Sequence, residues 1–198
     1  MFVKLESRAC LVVGAGKIAE SKIEGLLRAG AKVRVVAPEA TEKIQALASE
    51  KRVRWEQRSF DASDLGSTFL VVAATNSLEL HEEVFRCARA NGVLCNVPDD
   101  PLRCDFYYPA IVRRGPLQIA ISTAGLSPAL AQRLRHELEN RYGQEYSRWV
   151  EHLGQVRQNL MARELPAEQR RQMLHEAASG AAFAYFKEQQ AAARQGRR

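Results

Sequence analysis

The chain has 198 residues, 46% of them hydrophobic and 26% charged, with a formal net charge of +6. This composition excludes a disordered or fibrous protein, and no apolar run approaches the length that crosses a bilayer. Four cysteines, Cys10, Cys87, Cys95 and Cys104, form no C-x-x-C pair, so free thiols in a cytoplasmic protein are expected rather than a disulfide framework or a zinc site. The positive charge suits an acidic partner (nucleic acid, a membrane surface or a polyanionic small molecule) and equally an ordinary solvated basic surface.

A short leading segment, with Phe2 and Val3 as its anchors, runs into Cys10–Val13, an apolar stretch that reads as a buried parallel strand. Gly14, Gly16 and Ala19 follow with the spacing G-x-G-x-x-A, around Ala15, and a helical pattern begins at Lys17. Gly14 permits a sharp turn out of the strand. Gly16 has no side chain to keep a pyrophosphate from the backbone, and Ala19 lets the helix pack closely on the strand. The free N–H groups and dipole of the helix start would face the phosphates. Ile18, Ile23, Leu26 and Leu27 give the helix an apolar side and Gly30 ends it. A second strand, Val33–Val36, leads to Pro38 and Glu39, where a carboxylate can hold an adenosine ribose. A glycine motif alone is weak. Set between a strand and a helix within a βαβ unit, it favours dinucleotide binding over a glycine turn that binds nothing.

Thr41 is placed to cap a helix reaching about Ser49, and Val53–Gln57 reads as a third, more exposed strand. Phe60–Leu65 is a connecting turn. Phe69–Ala74 is a fully apolar central strand that ends in Thr75-Asn76-Ser77, and Asn76 with Glu79 has capping-box spacing. Leu80, Val84 and Ala88 form the apolar face of the next helix, Gly92 closes it, and Val93–Asn96 is one more strand. This alternation predicts an α/β fold with a Rossmann-type, doubly wound parallel sheet. The segments Gly14-Ala15-Gly16, Ala74-Thr75-Asn76 and Asn96-Val97-Pro98-Asp99 all leave strand ends, so they are expected around one cofactor.

The pattern then changes. Phe106–Val112 and Leu117–Ser122, joined by Arg113-Arg114-Gly115-Pro116, read as an antiparallel hairpin. Ser127 and Pro128 suit the N-cap and first position of a helix carrying Leu130, Leu134 and Leu138. Further helices follow, one from near Pro166, and the tail from Gln189 is polar and basic. The expected organisation is a nucleotide-binding Rossmann domain over 1–115, a small linking segment over 116–142, and a helical domain over 143–198.

The stretches CLVVGAGKIAESK, VAATNSLELHEEV, CNVPDDP and FYYPAIVRRGPLQIAISTAGLSPALAQRLR occur in this order. With them the chain resembles the bifunctional precorrin-2 dehydrogenase / sirohydrochlorin ferrochelatase family, the dehydrogenase half of siroheme synthase. The resemblance implies that NAD⁺ accepts a hydride from precorrin-2 to give sirohydrochlorin, with ferrous iron insertion to siroheme as a second step that only some members perform. It implies a homodimer, a general base at Asp99, and an NAD site lined by Lys17, Ile18, Pro38 and Glu39. Thr75 and Asn76 join that site by their place at a strand end. The tetrapyrrole would meet Asn96, Arg113, Ser122, Thr123, Ala124, Gly125 and Ser127. Some members carry a phosphorylated serine where this chain has Thr123, with Ser122 beside it. The methyltransferase domain of longer siroheme synthases is not expected.

The chemistry fits these residues on its own terms. Hydride removal leaves a cation that must lose a proton, so a base is needed, and a carboxylate at a strand end can supply it. Asp99 could instead cap the Asp-Asp-Pro turn. Chemistry alone does not choose between Asp99 and Asp100 as the base, and it is the resemblance that makes Asp100 the second choice. Inserting a metal also strips protons from the macrocycle nitrogens, which the same carboxylate could accept. The acidic rim of a tetrapyrrole suits the +6 charge, the helix start at Ser127-Pro128, and Arg113, Arg114, Arg133 and Arg135. His81, His136, His152 and His175 have no tight metal-ligand spacing, so no protein-held metal is expected and iron would be a substrate. Two rival readings stand beside the enzyme. A non-catalytic NAD(H)-sensing Rossmann module would need the glycine loop but not Asp99. Nucleic-acid binding would use the basic tail, but Glu164, Glu168, Glu176 and Glu188 interrupt it.

Overall fold

The computed structural model describes residues 2–98 and 100–195, with side chains to residue 193. Asp99, the expected base, lies outside the described residues. The chain divides at Tyr107/Tyr108 into two compact units.

The first unit carries a five-stranded parallel sheet in the order β3-β2-β1-β4-β5. Its strands are β1 (Ala9–Val13), β2 (Lys32–Val36), β3 (Val53–Glu56), β4 (Leu70–Ala73) and β5 (Leu94–Asn96). Its helices are α1 (Lys17–Arg28), α2 (Glu42–Ser49) and α3 (Leu78–Ala90). Covered on both faces, the two central strands β1 and β4 are apolar at every position, which is why Leu11–Val13 and Leu70–Ala73 show no polar alternation. Side chains still alternate by face. Cys10 and Val12 pack with Ile23 and Leu26 of α1 and Ile44 and Leu47 of α2. Leu11 and Val13 pack with Leu65 and with Val84 and Ala88 of α3. Full burial of a Val or Leu side chain stabilises by about 1.5–3 kcal/mol, so these two layers hold the sheet. The thiols of Cys10 and Cys95 lie inside them, and burial pushes them up to about 11 and about 12, respectively.

Several local expectations change. The buried stripe of α1 is Ala19, Ile23 and Leu26, at i, i+4, i+7, while Ile18 is 46% exposed because it lies about 100° round the helix from Ala19. Phe2 and Val3 are exposed; the leading segment is held instead by Leu5, which packs against the core, and by backbone bonds from Ser7 N–H to Gly30 O and Lys32 N–H to Arg8 O. Helix α3 is capped by Ser77, whose hydroxyl accepts from Leu80 N–H at 3.2 Å, and not by Asn76 one residue earlier. Thr41 is the N-cap residue of α2, but its hydroxyl makes no capping bond.

The second unit holds β6 (Ala110–Arg114) and β7 (Leu117–Ile121), an antiparallel pair, followed by α4 (Pro128–Arg141), α5 (Glu145–Met161), α6 (Ala167–Ala177) and α7 (Gly180–Gln195). Both strands of the hairpin lie in this unit, paired to each other. Segments 116–142 and 143–198 also pack as one unit. Arg114 donates to the carbonyls of Tyr142 and Glu139, and the turn glycine Gly115 (φ +55°) lies against Ser147. Strand β6 starts at Ala110 and not Phe106, whose carbonyl is bonded by Asn96 of the first unit's sheet. Tyr146, Trp149, Phe183 and Phe186 form an aromatic cluster between α5 and α7. Among the described residues of this unit, the buried apolar side chains are Val112, Ala131, Trp149 and Leu160. Leu130 is 39% exposed, so the leucine stripe of α4 is not closed over within the unit.

Candidate functional site

The strand order reverses between β1 and β4, and the crevice outside the carboxyl ends of such strands is where doubly wound folds take ligands. A cavity of about 600 Å³ opens there, within the range of small-molecule sites. Gly14, Ala15 and Gly16 line it from β1, Pro38 and Glu39 from β2, and Thr75 and Asn76 from β4. These seven expected cofactor residues thus share one cavity. Lys17 and Ile18 stand exposed on the first turn of α1, directly after Gly16.

The glycine loop is held by its neighbours. Gly14 N–H donates to Val36 O at 2.9 Å, Thr41 N–H donates to Ala15 O at 3.1 Å, and Ala74 N–H donates to Val13 O at 2.8 Å. Gly14 has φ +97°, and a Cβ there would strike the Ala74 carbonyl. Gly16 differs. It is the N-cap of α1 with φ −87°, makes no side-chain capping bond, and a Cβ on it would enter open space. Its bare α-carbon therefore leaves the helix start open to the cavity, which fits a phosphate group. Trp55 Nε1–H donates to Ala37 O at 3.0 Å and so pins the chain just before Pro38 and Glu39.

Besides the strand-end residues Val13, Val36 and Ala37, sequence reasoning missed Ser59, Phe60, Leu80 and Glu83 in the lining. The last two were findable: Asn76, Leu80 and Glu83 fall at i, i+4, i+7, one face across the start of α3. Among the described lining residues, the charged side chains are Glu39 and Glu83. An anion in this cavity would therefore rely on backbone N–H groups and the α1 dipole rather than on a guanidinium or ammonium.

The segment after β5 closes on itself. Asp105 N–H donates to Cys95 O at 2.8 Å, and Cys95 N–H donates to the Asp105 carboxylate at 2.9 Å. Asp105 thereby stands in for a neighbouring strand at the sheet edge. The carboxylate of Asp100 is ion-paired with Arg103, which also donates through Nε to Glu82 at 2.7 Å. Asn96, expected at the substrate, is 4% exposed, and its amide nitrogen donates to Phe106 O at 2.8 Å and to Cys104 Sγ at 3.2 Å. Its amide nitrogen holds the chain, while its Oδ1 is buried with no hydrogen-bond partner among the described residues.

The remaining expected substrate residues belong to the second unit. Arg113 is exposed on β6. In the loop after β7, Ser122 Oγ accepts from Ala124 N–H at 3.2 Å and Thr123 Oγ1 accepts from Ser127 N–H at 3.1 Å. Ala124 (φ +52°) and Gly125 (φ +80°) are both left-handed. Ser127 caps α4 through Leu130 N–H at 3.3 Å. Among the described residues, no group of three or more His, Cys, Asp or Glu is placed to hold a metal ion.

Residues 1–110 match the family described as "Putative NAD(P)-binding", and residues 114–141 match that described as "Sirohaem biosynthesis protein central". A siroheme synthase of Nitrosococcus oceani is 40% identical over 163 residues, 82% of this chain and 35% of that protein. One of Zymomonas mobilis is 35% identical over 185 residues, 93% of this chain and 39% of that protein. The chain thus spans little more than a third of the length of these curated relatives. Among solved structures, SirC, a precorrin-2 dehydrogenase, superposes with a TM-score of 0.79 at 28% identity, covering 98% of this chain and 96% of that one.

Proposed function

This chain belongs to the family described as "Putative NAD(P)-binding", and from that premise we propose that it is an NAD-dependent precorrin-2 dehydrogenase of sirohaem biosynthesis. One observation carries the reading: the glycine loop, the exit of β2 and the exit of β4 meet around a single cavity at the reversal of strand order. Gly14, Ala15, Gly16, Pro38, Glu39, Thr75 and Asn76 would hold the cofactor, which when bound supplies a hydride acceptor. Glu39 and Glu83 repel a ribose phosphate, which supports NAD over NADP.

Asp99 is the base of this proposal. Its neighbours support the choice, since Asp100 is paired with Arg103 and Asp105 is bonded to the backbone of Cys95. Asp99 accepts the proton that the substrate must release after losing hydride. Arg113 and the 122–127 loop bind the acidic rim of the tetrapyrrole. Ferrous iron insertion, where it occurs, takes the metal as substrate. Homodimerisation is supported by the thin core of the second unit and by Leu126, Leu130 and Tyr185, which are 89%, 39% and 63% exposed. In the first unit and the second alike, no described helix is long and apolar enough to cross a membrane.

The test is an anaerobic assay with precorrin-2 made in situ and NAD⁺, followed by ferrous iron. NADH together with the sirohydrochlorin spectrum is the expected result. An enzyme-dependent shift to the siroheme spectrum adds chelation. Binding of NAD⁺ without turnover makes the protein a nicotinamide sensor instead.

A further inference from the structure

The segment from Asn96 to Phe106 is tied together by groups that neither the glycine loop nor the cavity uses. Cys104 Sγ lies 3.2 Å from Val97 O and 3.2 Å from Asp100 O. Those two carbonyls bracket Pro98 and Asp99 in the sequence. The same sulfur accepts from Asn96 Nδ2 at 3.2 Å. The amide of Asn96 is anchored in turn by Phe106 O at 2.8 Å, and its residue is 4% exposed. Resting on the dehydrogenase reading above, we propose that Asn96 and Cys104 are positioning residues for Asp99, forming a clasp that fixes the backbone on both sides of it.

The chemistry of the clasp explains its residue types. A thiol is both a weak donor and a weak acceptor, so one sulfur can take the Asn96 N–H and donate to a carbonyl. Burial, the largest cause, raises the Cys104 thiol above its ordinary range and keeps the S–H available for donation. Asn96 ends β5, so the clasp refers the loop to the sheet and hence to the crevice. The ties through Asp105 to Cys95 and through Arg103 to Asp100 and Glu82 fasten the same loop from its far end. A base must lie within hydrogen-bond reach of its proton, and a displacement of about 1 Å can cost about a hundredfold in rate.

The experiment measures steady-state turnover of precorrin-2 by the full chain, with Cys104→Ala, Cys104→Ser and, as thiol control, Cys87→Ala. The proposal expects Cys104→Ala to lower kcat by about ten- to a hundredfold while both KM values stay within about twofold. Cys104→Ser, which keeps a donor and an acceptor on one atom, should recover most of the loss, and Cys87→Ala should match the wild type. Wild-type kcat in Cys104→Ala overturns the proposal. So does a loss shared between kcat and the KM for NAD⁺ that serine does not restore, since that is a structural defect only. Absence of turnover in the wild type overturns the dehydrogenase reading, and the positioning role with it.

Discussion

Gly14 lies so close to Ala74 that a Cβ built on the glycine would stand 2.3 Å from the Ala74 carbonyl oxygen. The contact joins the exits of β1 and β4, the strands between which the crevice opens. Gly14→Ala meets a backbone group that cannot swing aside and also a φ of +97° that an L side chain rarely adopts. We expect destabilisation of about 3 kcal/mol or more, read as a lower urea midpoint or loss of soluble protein.

Gly16→Val should behave oppositely. Nothing lies within 4 Å of the added Cβ, so the free protein should lose only about 1 kcal/mol, the scale of an altered N-cap. Titration calorimetry with NAD⁺ should nevertheless show Kd raised by about tenfold or more, because the new side chain occupies the approach to the α1 start. Unchanged affinity would remove the cavity from the cofactor's path.

Asp99→Asn should keep NAD⁺ affinity and lower precorrin-2 turnover by about a thousandfold, the middle of the range for a general base. Asp100→Asn should cost far less, since its carboxylate is already engaged by Arg103. Equal losses in the two variants would reassign the base.

Glu39→Ser should narrow the preference between the two nicotinamide dinucleotides. Removing a carboxylate from the cavity lining should raise kcat/KM with NADP⁺ by about tenfold and reduce it with NAD⁺. A wild-type enzyme that already favours NADP⁺ would contradict this role.

Away from the site, Asp64 bears on acid stability. It is 4% exposed, receives Arg34 at 2.7 Å and Arg58 at 2.9 Å, and closes a capping box with Asp61. The hydrogen bonds from Arg58, the largest cause, hold its carboxyl well below the usual carboxylate range. A depressed folded pKa stabilises at every pH above the unfolded value, near 3.9, and that contribution fades as pH falls toward the folded value. The advantage of the wild type over Asp64→Asn in urea midpoint should hold from pH 7 to about pH 5 and narrow below about pH 4. Asp64→Ala leaves Arg34 and Arg58 with Glu56 as a carboxylate partner but removes the capping box with Asp61, and should cost about 1–2 kcal/mol at pH 7.

The elements of the first unit were legible because strand and helix periods differ and because glycine marks turns. Cys10–Val13, the turn at Gly14-Ala15-Gly16 and the helix from Lys17 stand where the pattern put them. The cap of α3 was misplaced by one residue because Asn76 and Ser77 both carry capping side chains, and only the backbone path chooses between them. The hairpin was legible as a pair of strands, but its allegiance was not: that depends on Arg114 reaching Tyr142 and Glu139, a contact with no local signature.

By itself, the sequence determined the doubly wound parallel sheet, the glycine loop and the family motifs, since each is written in neighbouring residues with a fixed spacing. Only the tertiary structure decided that Leu80 and Glu83 share the cavity with Glu39, that Asn96 faces inward, and that Asp100 is held by Arg103. The first two depend on how β4, β5 and α3 pack, which brings together residues far apart in the chain, and the third is an i, i+3 pair that only the backbone path of the turn after β5 closes.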